Sequence, residues 1–179
     1  MESYDLQSVA ELLAGEYVVN SNRSVCVIVK LELYQRKKEN NIMFRTIRKK
    51  KNEISIDTAK ALLQSSRRGV LAVNGDDGYP YAIPINYVYD DDAQKIYFHG
   101  ARAGHKVDAL RACDKVCFTV YGNETIKEED WAPFVQSVVV FGRCHLVESG
   151  ARATTLLKRF AMKYYPSEQL VDEEIAHAG

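Results

Sequence analysis

The sequence predicts a mainly β fold, a small antiparallel barrel with peripheral helices. Three observations carry this expectation. Five runs rich in β-branched and aromatic residues follow one another between residues 69 and 147. Turn signals such as Asn74-Gly75-Asp76-Asp77-Gly78 and Asp90-Asp91-Asp92 join the first three at hairpin distance. Helical spacing is confined to short stretches beside these runs, which suits helices packed around a barrel.

The elements follow in chain order. Residues 1–42 mix an amphipathic stretch (Leu6, Val9, Leu12, Leu13), a β-branched run from Val25 to Val29 and a polar segment from Gln35 to Asn41. None of these continues a pattern seen later. Met43 and a basic cluster (Arg45, Arg48, Lys49, Lys50, Lys51) come next, and such a cluster reads as a solvated arm. The division expected is an extension over 1–42, with Met43 as the natural start of a domain over 43–179. Asp57 is a candidate N-cap for a helix carrying Ala61, Leu62 and Leu63, which Ser65-Ser66 ends. Gly69–Val73 reads as the first strand. Asn74–Gly78 reads as a turn whose two glycines supply positive φ. Tyr79–Tyr89 is a long second strand interrupted by Pro80 and Pro84, which cannot donate to a ladder. Lys95–His99 is a third strand and Ala103–Cys113 a helix with Val107 and Leu110 on one face. Lys115–Tyr121 and Val135–Val147 are strands four and five, joined by a polar connection that holds Trp131. Ala151–Tyr164 is a helix carrying Leu156, Leu157 and Phe160.

Composition narrows the function classes. With 24 Lys+Arg against 24 Asp+Glu the formal charge is zero, which speaks against a nucleic-acid or anionic-membrane partner. At 179 residues a core forms without disulfide staples, and Cys26, Cys113, Cys117 and Cys144 fit a reducing, cytoplasmic compartment. The apolar run Val25–Val29 is too short to span a bilayer.

The densest group of unusual residues is Phe98-His99-Gly100-Ala101-Arg102-Ala103-Gly104-His105-Lys106. It leaves a strand and enters the first turn of a helix, where free N–H groups attract an anion. Gly104 allows close backbone approach, and Arg102 and Lys106 add cationic side chains. The plain alternative is a solvated turn with two surface cations. Pro84-Ile85-Asn86-Tyr87 is a second candidate, since a strand freed from its ladder can offer backbone groups to a flat ligand. The alternative there is a barrel corner blunted by proline. His99, His105, Cys113 and Cys117 match no metal spacing, so no metal is expected. Neither a Gly-x-Ser-x-Gly elbow nor a Gly-x-Gly-x-x-Gly after the first strand is present.

Taken together these residues resemble the pyridoxamine-phosphate-oxidase-like family of FMN-binding split barrels, closest to its 5-nitroimidazole-resistance branch. The matching pieces are Pro80-Tyr81, Pro84-Ile85-Asn86-Tyr87, Tyr97-Phe98-His99-x-Ala101-x-x-Gly104-x-Lys106, Val116-Cys117-Phe118 and Ser137-Val138-Val139-Val140-Phe141-Gly142. They cover residues 45–165. The resemblance implies an antiparallel split β-barrel and a homodimer with FMN at the subunit interface. It implies that Pro84, Ile85, Asn86 and Tyr87 lie along the flavin ring and that Lys106 holds the phosphate, with Arg102 and the amides around Gly104 assisting. His99 matches a histidine near the flavin, placed to take part in reduction of a small acceptor such as a nitro compound. Ser137, Val138 and Trp131 match positions where the partner subunit closes the site. A non-catalytic flavin or heme carrier is the alternative, and a barrel that has lost its cofactor is a third. The chain ends at Gly179, where relatives continue into a final strand, so the barrel is expected to lack its C-terminal end and to expose an edge. The extension is expected to be dispensable for FMN binding, unless Val25–Leu33 pairs with that edge.

Overall fold

The computed structural model describes residues 26–33, 52–126, 133–147, 150–165 and 167–178. Six strands, β1 (Cys26–Leu33), β2 (Arg68–Asn74), β3 (Pro80–Asp90), β4 (Lys95–Ala101), β5 (Lys115–Ile126) and β6 (Pro133–Leu146), close in the order β1-β4-β3-β2-β5-β6. Every neighbouring pair is antiparallel, so the antiparallel split barrel is present. Around it stand α1 (Ile56–Ser65), α2 (His105–Ala112), α3 (Ala151–Tyr164) and α4 (Glu168–Ala178).

Strand alternation builds two layers of core. Leu71, Val73, Ile85, Tyr87, Tyr89, Ile96, Phe98, Val116, Phe118 and Val120 fill the barrel, and Leu62 and Leu63 of α1 join them. Val88 and Tyr97 face the other way and are covered by Leu156, Leu157 and Phe160 of α3. Each such side chain taken fully from water contributes about 1.5–3 kcal/mol.

The structure differs from the sequence reading in several places. The edge expected to be open is paired: β1 lies between β4 and β6, with Val29 opposite Phe98 on one side and Leu146 on the other. Residues 26–33 of the stretch read as an extension are therefore a barrel strand. The amphipathic stretch and the basic cluster lie outside the described residues. Ser55 rather than Asp57 caps α1, its Oγ accepting from the Thr58 N–H at 3.1 Å, and Asp57 sits in the first turn. In the β2–β3 turn Gly78 has positive φ (79°), whereas Gly75 is held extended and Asp77 takes the left-handed conformation (φ 53°). Helix α4 was missed because its polar sequence carries little apolar period.

The end of α3 repairs a gap in the sheet. β2 begins opposite Asn86, so Tyr87 on β3 lies just beyond the β2–β3 ladder. The Tyr164 hydroxyl fills that place. It accepts from the Tyr87 N–H at 2.7 Å and lies 2.7 Å from the Tyr87 carbonyl and 2.6 Å from the Arg67 carbonyl, either of which can take its proton. Lys163 beside it donates to the Ser66 carbonyl at 2.7 Å and lies 4.2 Å from the Tyr87 ring centroid. Tyr164→Phe leaves these backbone groups unsatisfied in a part-buried place. We expect it to lose about 1–3 kcal/mol of stability in chemical unfolding. A midpoint equal to that of the parent would contradict this role.

Candidate functional site

The barrel is split where β3 and β4 part. Their ladder runs from Asp90 opposite Lys95 to Tyr87 opposite Phe98 and ends there. Beyond that row, residues 80–86 of β3 pair with β2, and residues 99–101 of β4 pair with β1. Pro84 has no N–H, which suits a strand leaving a ladder. One wall of the opening carries Pro84 and Asn86, on the face opposite the core. Ile85 and Tyr87 point into the barrel with exposures of 7% and 0%, so only their backbone could meet a ligand in the split. The Tyr87 hydroxyl is committed elsewhere, donating to the Leu63 carbonyl at 2.7 Å.

The other wall carries the polar chemistry. His99 shares the face of Tyr97, beneath α3, with its ring centroid 5.5 Å from that of Phe160. Its Nε2 is buried and has no hydrogen-bond partner among the described residues. Burial, and then the nearby Lys106 ammonium, hold its pKa below the ordinary 6.5. A neutral imidazole is therefore the resting form at pH 7.

Lys106 lies in the first turn of α2, and burial alone lowers its pKa from the ordinary 10.5. No hydrogen bond or opposite charge among the described residues offsets that burial. Its Nζ occupies the space that the absence of a side chain at Gly100 leaves, 2.6 Å from where a Cβ there would stand. Gly104 enters the helix at φ 109°, a conformation suited to glycine, and no side chain caps this end. The N-terminus of α2 and the Lys106 ammonium thus meet at Gly100, while the His99 imidazole lies on the alternate face of β4 and feels the ammonium's charge. A half-buried cation with no opposite charge beside it among the described residues carries a desolvation cost, and an anion of the size of a phosphate would relieve it. Arg102 is exposed on the approach to this turn.

The depressed His99 pKa has a consequence for stability. A histidine whose folded pKa lies below its unfolded value binds its proton more readily when unfolded. His99 therefore stabilises the fold above about pH 6.5, and that contribution is lost as pH falls from there through the folded value. We expect the ligand-free protein to melt at lower temperature between pH 7 and pH 5, and less so for His99→Phe. An acid shift unchanged in that variant would contradict the assignment.

The remaining candidates fall elsewhere. Ser137 and Val138 are on β6, three strands round the ring from β3 in either direction. One chain does not bring them to the split. Ser137 faces outward on β6, while Val138 packs on the core. Trp131 lies outside the described residues. His105 is turned away to stack on Tyr81, with centroids 4.2 Å apart, and its Nε2 lies 3.5 Å from Asp76. No metal-binding group of His, Cys, Asp or Glu forms among the described residues. Sequence reasoning did not single out Gly100 or Phe160. A glycine at a strand end signals close approach by another group, whereas Phe160 showed only helical periodicity.

Comparison with known proteins agrees with this architecture. A family model described as pyridoxamine 5'-phosphate oxidase matches residues 55–178. No curated protein matches the chain. Among solved structures, a candidate 5-nitroimidazole antibiotic resistance protein from Bacteroides thetaiotaomicron superposes with a TM-score of 0.57 at 16% identity, covering 78% of this chain and 86% of that one. The flavocytochrome Anf3 from Azotobacter vinelandii superposes with a TM-score of 0.61 at 21% identity, covering 76% and 67% respectively. A conserved hypothetical protein, Rv2991, from Mycobacterium tuberculosis gives 0.56 at 22% identity, covering 69% and 75%. At these identities the likeness is one of fold.

Proposed function

The chain belongs to the pyridoxamine 5'-phosphate oxidase family, and from that premise we propose that it is an FMN-dependent oxidoreductase acting on a small electron acceptor such as a nitro compound. The observation that carries the reading is the buried, unpartnered His99 Nε2 and, one residue along β4, the half-buried Lys106 ammonium seated at Gly100, beside the place where β3 and β4 part. Lys106 and the N-terminus of α2 would hold the phosphate, with Arg102 assisting. Pro84 and Asn86, with the backbone of Ile85 and Tyr87, would line the ring. Bound FMN supplies the electron transfer, and the protein orients it and manages protons. His99 is the residue placed to hold a proton for the acceptor. A phosphate beside Lys106 would offset the ammonium's repulsion and bring the imidazole back towards its protonated form.

The site is closed, on this reading, by a second copy of the chain that brings the outward-facing Ser137, with Val138 contributing only its backbone because its side chain packs on its own core. The outer face of β5 and β6 supports a homodimer: Val135, Val139 and Phe141 are 54%, 53% and 44% exposed, and Tyr121 is 70% exposed. An apolar stripe of this kind suits contact with another protein surface. The free thiols Cys113, Cys117 and Cys144 suit a cytoplasmic protein. No helix among the described residues is long and apolar enough to cross a membrane.

The visible spectrum of the purified protein tests the cofactor. Flavin absorption supports the proposal, a heme Soret band replaces it with the carrier reading, and a colourless protein that takes up no FMN contradicts it. Sedimentation at low micromolar concentration should show a species twice the 20.3 kDa chain mass. A 20.3 kDa species alone would contradict the homodimer.

A further inference from the structure

The family match begins at residue 55, yet the barrel of this chain is closed by β1, which lies well before it. The place where β1 pairs is informative. Past the end of the β3–β4 ladder, His99, Gly100 and Ala101 have lost β3 as a neighbour. They lie opposite Ile28, Val27 and Cys26 of β1 instead. These are the residues that carry the unpartnered imidazole and the space filled by the Lys106 ammonium. We infer that β1 is a positioning strand for the ligand site, holding the backbone of residues 99–101 in the geometry that the site requires. This role concerns how the proposed site is built and not what fills it.

Two features of the structure support this. The first is exclusivity: with β3 diverging, residues 99–101 would form a free edge without β1, and a free edge with unpaired N–H and C=O groups does not hold a fixed course. The second is the register. Val29 and Leu31 stand opposite the core residues Phe98 and Ile96 of β4 and opposite Leu146 and Cys144 of β6. A slip by one residue would break both registers at once.

The test uses the full chain and two proline substitutions. Ile28→Pro removes an N–H opposite His99, whereas Leu33→Pro removes one opposite Gly142, at the far end of β1. Two readouts are followed: the His99 titration by NMR in the ligand-free protein, and FMN affinity by fluorescence quenching. Ile28→Pro should return the His99 pKa towards 6.5 and weaken FMN at least about tenfold, while Leu33→Pro changes affinity less than about threefold. Equal effects of the two variants, or none from Ile28→Pro, would overturn the inference. If the parent binds no FMN, the cofactor proposal fails, but the His99 titration still decides the role of β1. Should Ile28→Pro fail to fold, amide exchange on the parent replaces it: the amides of 26–28 and 99–101 should be protected together. Fast exchange at 26–28 with 99–101 protected would overturn the inference.

Discussion

His99→Ala should keep FMN bound while slowing transfer to a nitro acceptor by about 10²-fold or more, the usual loss when a positioned general acid is removed. Nε2 is buried and unpartnered, so its removal breaks no hydrogen bond among the described residues. Reduction of the bound flavin by a small chemical reductant should hardly change, because that step asks nothing of this proton. The pH dependence carries the sign of the role. The parental rate should fall as pH rises through the pKa of the imidazole in the loaded protein, and the variant should lose that limb. Parental turnover by a fully loaded His99→Ala protein would make the histidine structural and leave the proton to water or another group.

Lys106→Ala should weaken FMN by about 10- to 100-fold, corresponding to about 1.5–3 kcal/mol for a charge-assisted contact. The same substitution should not destabilise the ligand-free protein. Its ammonium is half-buried with no opposite charge among the described residues, so removing it relieves a desolvation cost. It should also raise the His99 pKa, since the ammonium is one of the two causes that depress it. A structural lysine would behave in the opposite way: the melting temperature would drop and FMN affinity would be lost only through unfolding. Differential scanning calorimetry with and without FMN separates the two cases.

The fold was legible because the strands alternate cleanly and their turns carry distinctive chemistry. Leu71, Val73, Ile96 and Phe98 lie at the period that places them inside the barrel. The role of residues 26–33 was harder to read, because long-range pairing leaves no local mark: Val25–Val29 looks the same as a stray apolar run until β4 and β6 are seen to need a partner between them. The candidate site was legible in part as local structure. Gly104 and Lys106 stand at a strand–helix junction, and that junction is built as the residue types suggest. The split itself was signalled by Pro84, but not which side chains line it. Alternation turns Ile85 and Tyr87 into the core and leaves Pro84 and Asn86 outside. Tyr164 could not be found from sequence, because a phenol bonding to the backbone of a strand 77 residues away follows no local rule.

The proposed function rests on Lys106 and the N-terminus of α2 binding the phosphate of FMN. Calorimetric titration of the ligand-free protein with FMN and with riboflavin, which share a ring and differ in the phosphate, tests it most directly. FMN should bind at least about tenfold more tightly than riboflavin, with that advantage abolished in Lys106→Ala. Equal affinity for the two ligands in the parent protein would contradict it.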